Sequence, residues 1–328
     1  LNEQPVRNTP ARAAAATRPP AFHVPRLTRA CLAPRYWPSW IAVGVLWLCS
    51  LLPMAVARAL GAGIGVLLWL GNRKRRDIAA VNLRLCFPEL DEKARARLLR
   101  RHYLAVGRAY TDLGFLVWAS VRRVERKVRV RGLEHYRRPA AAGRRIILLV
   151  PHSVGVNFGG AAISPYHPIF SMFKPQRNPV ADWLLNRART RFGAKLLARH
   201  QGMRPVVRAL KAGMAFYYLP DEDFGPRHSV FAPFFGVPAA TLTTLGRLAR
   251  LTDAVVVPCF TRLLPGGRGY EVVFHPPLAD FPSGDETADA ARMNRALEEG
   301  IRLAPEQYLW TLKFFKTRPR GEPSPYAR

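Results

Sequence analysis

A chain of 328 residues that is 49% hydrophobic and 22% charged has the composition of a folded protein, with room for one large α/β domain and smaller appendages. Its 51 Lys and Arg against 22 Asp and Glu give a formal charge of +29, a surface suited to nucleic acid, an anionic membrane face or an acidic carrier protein. No zinc-finger spacing, aromatic RNA-binding signature or basic-region heptad is present, which sets nucleic acid aside. Four scattered cysteines (Cys31, Cys49, Cys86, Cys259) without a C-x-x-C pair read as reduced structural thiols, not a metal or disulfide framework.

Residues 1–35, rich in Ala, Pro and Arg, are expected to form a disordered basic tail. Residues 36–71 then change character: the run 40–70 carries one charge, Arg58, and one internal proline, Pro53. A bilayer span needs about 20 apolar residues, so this segment is expected to anchor the chain in a membrane, as a single span or as a re-entrant hairpin turning at Pro53. Trp37, Trp40, Trp47 and Trp69 supply interfacial aromatics, and Arg73, Lys74, Arg75 and Arg76 follow at once. Basic residues cluster on the cytoplasmic side of spans, which places the C-terminal part in the cytoplasm, although the tail is basic too.

Residues 72–127 have helical periodicity, with Asp91 as a candidate N-cap, and form a membrane-proximal segment. Over 128–320 strands and helices alternate. Strands are predicted at 128–132, 145–150, Ile169–Phe173, 214–219, 254–260 and 270–274, and helices near 155–164, 180–192, 241–251 and 288–303. This order gives an α/β fold with a mixed, largely parallel sheet flanked by helices, preceded by an N-terminal membrane-anchoring helix and followed by a tail at 321–328.

In open α/β sheets ligands bind beyond the carboxyl ends of the strands. Two predicted strands end in polar residues there: RIILLV runs into His152, and MAFYYL into Asp221, Glu222 and Asp223. An imidazole at such a position can act as general base toward a hydroxyl, beside a helix N-terminus that offers N–H groups to an oxyanion. No H-E-x-x-H, H-x-x-x-H or G-x-S-x-G is present, so neither a metal hydrolase nor a serine hydrolase is indicated, and no cofactor or metal is expected.

PHSVGVN, with His152 and Asn157 five apart, resembles the H-x4-D/E motif of the glycerolipid and lipid A acyltransferase superfamily. The segments 73–90, 177–193, 218–241 and 304–319, in that order, are similar to the late acyltransferases of lipid A biosynthesis, lauroyl type. The resemblance covers roughly residues 35–320 and implies a bacterial inner-membrane enzyme with its catalytic domain on the cytoplasmic side. It implies transfer of a fatty acyl chain from acyl carrier protein to a hydroxyl of a Kdo-bearing lipid A precursor, by direct attack on the thioester. It assigns His152, Asn157 and Asp221 to catalysis, and Arg189, Arg177, Asn178 and Asp223 to substrate binding and ordering of the site. Phosphates and Kdo carboxylates on the acceptor, and an acidic carrier, suit the cationic surplus.

Asn157 departs from the family pattern, which has Asp or Glu there. In the serine-protease triad the corresponding Asp-to-Asn change costs about 10⁴ in rate. Three readings follow: an imidazole oriented by Asn157 or by a borrowed carboxylate such as Asp221; a variant that has lost activity and remains a membrane lipid-binding protein; or divergence to another acceptor lipid.

Overall fold

The computed structural model describes residues 20–327; most of the expected tail at 1–35 therefore lies outside the described residues. The first α-helices among the described residues are α1 (Trp37–Leu51) and α2 (Met54–Gly71). The apolar run is broken between them because Pro53 offers no N–H and forces the preceding Leu52 into an extended conformation. Among the described residues only α2 is long and apolar enough to cross a membrane, by length and composition. Then follow α3 (Arg73–Cys86), capped by Asn72, and the long α4 (Glu92–Trp118), capped by Asp91 as its position predicts.

Both leading helices pack on α4 by backbone contact. A Cβ placed on Gly107 of α4 would lie 2.1 Å from Gly61 O of α2, and one on Gly114 would lie 2.2 Å from Leu46 O of α1. Glycine at these crossings is a condition of the packing. Arg58 of α2 is buried and pairs with Asp112 of α4 at 2.8 Å, and it also donates to Leu264 O and Gly269 O. The outward faces stay apolar and exposed: Trp37, Ile41 and Leu48 on α1, Leu60, Leu67 and Leu70 on α2.

The remaining elements build the α/β layer: α5 (Val121–Glu125), β1 (Val128–Arg131), α6 (Glu134–Ala141), β2 (Arg145–Leu149), α7 (Val156–Ile163), β3 (Ile169–Phe173), α8 (Pro179–Thr190), β4 (Lys195–Ala198), α9 (Arg204–Lys211) and β5 (Ala215–Tyr218). They end with β6 (Ser229–Phe234), β7 (Val237–Leu242), α10 (Thr244–Thr252), β8 (Ala254–Leu264), β9 (Gly269–Phe274) and α11 (Glu286–Leu303). Seven strands form one sheet in the order β1-β9-β8-β2-β5-β3-β4. Neighbours run parallel apart from the antiparallel pair β8–β9, so the sheet is mixed and largely parallel, with helices against it.

The central strand β2 has β8 on one side and β5 on the other, with Ile147 opposite both Val256 and Phe216. Ile147, Leu148 and Leu149 are wholly buried, as a strand covered on both faces requires. Thr241 and Leu242, expected in a helix, belong instead to a separate hairpin, β6–β7. Its two-residue turn, Phe235-Gly236, has positive φ at both positions (51° and 76°), the primed geometry that matches strand twist. Phe235 tolerates this conformation because its ring is buried near Phe87 and Trp310, and its amide donates to Glu298 at 2.7 Å.

Candidate active site

Because β2 and β5 are paired in parallel, their carboxyl ends emerge side by side; the Val150 amide still donates to Tyr218 O at 2.9 Å. His152 stands three residues beyond the end of β2, and Asp221 three beyond the end of β5. One oxygen of the Asp221 carboxylate lies 2.6 Å from His152 Nδ1, while the other accepts the His152 backbone N–H at 2.7 Å. A carboxylate only accepts, so Nδ1 carries the proton and the neutral ring keeps its lone pair on Nε2. Glu222 Oε1 is 3.4 Å from Nε2 and its other oxygen is 3.5 Å from Arg199.

The loop that carries His152 is held from behind. Leu309 N–H donates to His152 O, Val154 N–H donates to Gln307 O, and Ser153 bridges to Tyr308 as a short antiparallel contact. Tyr308 is buried, and burial with the neighbouring Asp221 charge keeps its hydroxyl protonated well above the usual tyrosine range. Burial also acts on His152, pulling its pKa down. The Asp221 charge and hydrogen bond, with Glu222, outweigh burial and the opposing Arg189, so the net shift is upward.

Asn157 sits on the first turn of α7 and does not serve His152. Its side-chain oxygen accepts from Arg189 Nε at 3.0 Å, and the acceptor for Nδ1–H is Asp221. Of the two partners considered for the imidazole N–H, Asn157 and Asp221, the sheet order brings Asp221: β5 delivers a carboxylate to His152, while the first turn of α7 faces the last turn of α8. Burial lowers the Arg189 pKa to about 10, against the raising influence of Asp182 and Tyr217, which leaves a cation at neutral pH.

His152, Asn157 and Arg189 line one cavity of about 270 Å³. Its other walls are mostly apolar, including Ile169, Phe170, Leu196, Met203 and Leu219. Three further expected site residues lie elsewhere. Asn178 caps α8, accepting from Val180 and Ala181 amides and donating to Ser39. Arg177 is exposed beside it. Asp223 ties down the C-terminal segment, accepting Thr317 N–H at 2.6 Å and Thr317 Oγ1–H at 2.8 Å. The sequence names Glu222 only within the polar run Asp221–Asp223 at the end of a strand, without a role of its own, and does not single out Arg199 or Tyr308.

A largely parallel α/β sheet, a histidine paired with a buried carboxylate at a central strand's carboxyl end, and an apolar cavity with a cation in its wall describe an α/β acyltransferase cleft. The chain belongs to the bacterial lipid A biosynthesis acyltransferases, whose family model matches residues 25–317. It is 38% identical over 305 residues to the lipid A biosynthesis lauroyltransferase of Escherichia coli (strain K12), covering 93% of this chain and 99% of that protein. Similarity extends to a lipid A biosynthesis acyltransferase of Haemophilus influenzae (36%; 89% of this chain, 91% of that protein). It extends also to the palmitoleoyltransferase of the same E. coli strain (34%; 92% of this chain, 98% of that protein). The relatives' names differ in acyl chain, so family membership establishes lipid A acyl transfer and leaves the acyl length open.

Proposed function

We propose that this chain transfers a fatty acyl group from an acyl carrier protein thioester to a hydroxyl of a lipid A precursor, with His152 as general base. Nε2 takes the proton of the acceptor hydroxyl while its oxygen bonds to the thioester carbonyl carbon. The C–S bond then breaks, and the departing thiolate takes the proton from the imidazolium, so that ester and thiol are the products. Asp221 fixes the tautomer and stabilises the imidazolium as it forms. The apolar cavity accommodates the acyl chain, and Arg189 faces an anionic group of a substrate. Arg177 is assigned to the same acceptor on the exposed surface, and Asn178 and Asp223 to holding the loops around it.

The observation that carries this reading is the 2.6 Å contact between His152 Nδ1 and Asp221. It also weighs against a disabled lipid-binding protein, because the change to Asn at 157 leaves the carboxylate on His152 in place. Exposed apolar faces on α1 and α2, followed by the basic run Arg73–Lys74–Arg75–Arg76, support attachment to the inner membrane with the α/β layer on the cytoplasmic side. The surplus of 29 positive charges suits an acidic carrier.

The test is acyl transfer by purified protein from carriers loaded with chains of different length to a tetra-acylated Kdo-lipid A precursor. Turnover lost in His152→Ala and Asp221→Asn supports the reading. Turnover that survives His152→Ala removes the base assigned here, and turnover only with a different hydroxylated lipid moves the function to that acceptor.

A further inference from the structure

A second cavity, of about 610 Å³, shares no lining residue with the His152 cavity. One wall is α3, with Arg73, Lys74, Asp77, Ile78 and Val81; the other is the C-terminal segment, with Lys313 and residues 325–327. The walls are fixed. The Tyr326 hydroxyl donates to Asn82 of α3 and accepts from the Phe315 amide at 3.2 Å, and Asn82, itself wholly buried, donates to Trp310 O and Leu312 O at 2.6 and 2.7 Å.

Two features define what would fill it. Three exposed cations, Arg73, Lys74 and Lys313, face the opening against one acid, Asp77, while Ile78, Val81 and Pro325 make the remainder apolar. The opening also lies where an exposed apolar helix gives way to charge. Arg73 follows the end of α2 by two residues, and the last turns of α2 present Leu67 and Leu70, 69% and 59% exposed. Between them Trp69 has the guanidinium groups of Arg76 and Arg100 at 5.3 and 5.5 Å from its ring, an aromatic placed at an apolar–cationic boundary. A free anion would satisfy the cations and leave the leucines in water; a neutral lipid would do the reverse.

We propose that the α3–C-terminal cavity binds the phosphate headgroup of an anionic membrane phospholipid, its acyl tails lying along Leu67 and Leu70. The site is separate from the acyl-transfer cleft and would hold the membrane-proximal end of α2 at a fixed depth. It rests on the membrane reading of the α1–α2 face, which flotation with neutral phosphatidylcholine vesicles tests by itself.

The experiment is native mass spectrometry of the full chain in detergent with added phosphatidylglycerol or phosphatidylcholine. We expect one retained phosphatidylglycerol per chain, and retention roughly tenfold weaker in Arg73→Ser/Lys74→Ser/Lys313→Ser. The control Arg129→Ser/Arg138→Ser/Lys211→Ser, which removes three exposed cations from other surfaces, should bind as the unaltered protein does. Equal weakening in both triple variants would reduce the effect to diffuse charge and overturn the site, as would equal retention of the two lipids. Displacement by inorganic phosphate but not by chloride at matched ionic strength would make it a free-anion site. Acyl transfer at an unchanged KM for the acceptor is expected in the first variant; a raised KM would assign the cavity to the acceptor and overturn the proposal.

Discussion

Asp221 holds His152 at two points, one carboxylate oxygen on the ring Nδ1 at 2.6 Å and the other on the backbone N–H at 2.7 Å. Ring orientation and loop position are therefore set by one side chain that is almost fully buried, at 2% exposure. Asp221→Asn keeps the shape but replaces one acceptor oxygen by a donor. Turnover should fall by about 10²–10⁴, the range seen when a general base loses its orienting carboxylate. Single-turnover acyl transfer with saturating carrier measures it, and a loss below threefold would remove Asp221 from the mechanism.

The pH profile follows from the same contact. Burial lowers and Asp221 more than restores the His152 pKa, so the imidazole protonates above its ordinary 6.5. Only the neutral ring accepts a proton, so the rate should climb with pH through a midpoint above 6.5. Asp221→Asn should move that midpoint down, and Glu222→Gln should move it in the same direction by less. For stability the sign is opposite. The raised pKa stabilises the fold fully below the unfolded value, and this contribution is lost as pH rises through the folded one.

Asn157→Asp tests which partner residue 157 serves. It touches Arg189 and not His152, so a carboxylate there should pair with the guanidinium and, by offsetting the Arg189 charge that lowers the His152 pKa, move the rate–pH midpoint slightly up. The expected result is a kcat within a few-fold of the original and a raised KM for the phosphorylated acceptor, as Arg189 loses its free charge. A tenfold rise in kcat would restore 157 as the imidazole's partner.

Two adjacent glycines on α7 should behave differently. Gly160 lines the His152 cavity, to which the acyl chain is assigned under the proposed function, and a Cβ there meets nothing within 4 Å. Gly160→Val should fold and shift preference toward shorter acyl chains in a competition among loaded carriers. A Cβ on Gly159 would lie 2.3 Å from Thr261 Oγ1 and 2.5 Å from the Tyr217 hydroxyl. Gly159→Ala should therefore destabilise by about 1–3 kcal/mol, as overpacking does, visible as an earlier thermal transition.

The buried pair Arg58–Asp112 joins α2 to α4, and Tyr270 donates to the same carboxylate at 2.6 Å. Asp112→Asn leaves Arg58 buried without a counter-charge, at a cost of about 3–5 kcal/mol. Arg58→Met/Asp112→Leu should recover most of that in denaturant titration. If both variants unfold alike, the pair contributes packing alone.

Much of the architecture was legible because it is local. RIILLV and MAFYYL read as buried strands, and Ile169–Phe173 matches its predicted bounds. The missed β6–β7 hairpin has its turn at Phe235-Gly236, where aromatic burial overrides a turn chemistry that ordinarily favours Asn-Gly. The break at Pro53 was foreseen as one of two possibilities; the turn back along α4 depends on Gly61 and Gly65 of α2 meeting Gly107 of α4, a pairing of helices far apart in sequence.

The sequence by itself determined that His152 and the run Asp221-Glu222-Asp223 stand at strand ends, that the chain is strongly cationic, and that its motifs belong to lipid A acyltransferases. Only the tertiary structure decided which polar group meets the imidazole. The spacing His152–Asn157 suggests a local pair, yet a helix beginning at Val156 carries Asn157 to Arg189. Asp221, 69 residues away, reaches His152 because β5 hydrogen-bonds beside β2, and that pairing is a non-local choice made by sheet order.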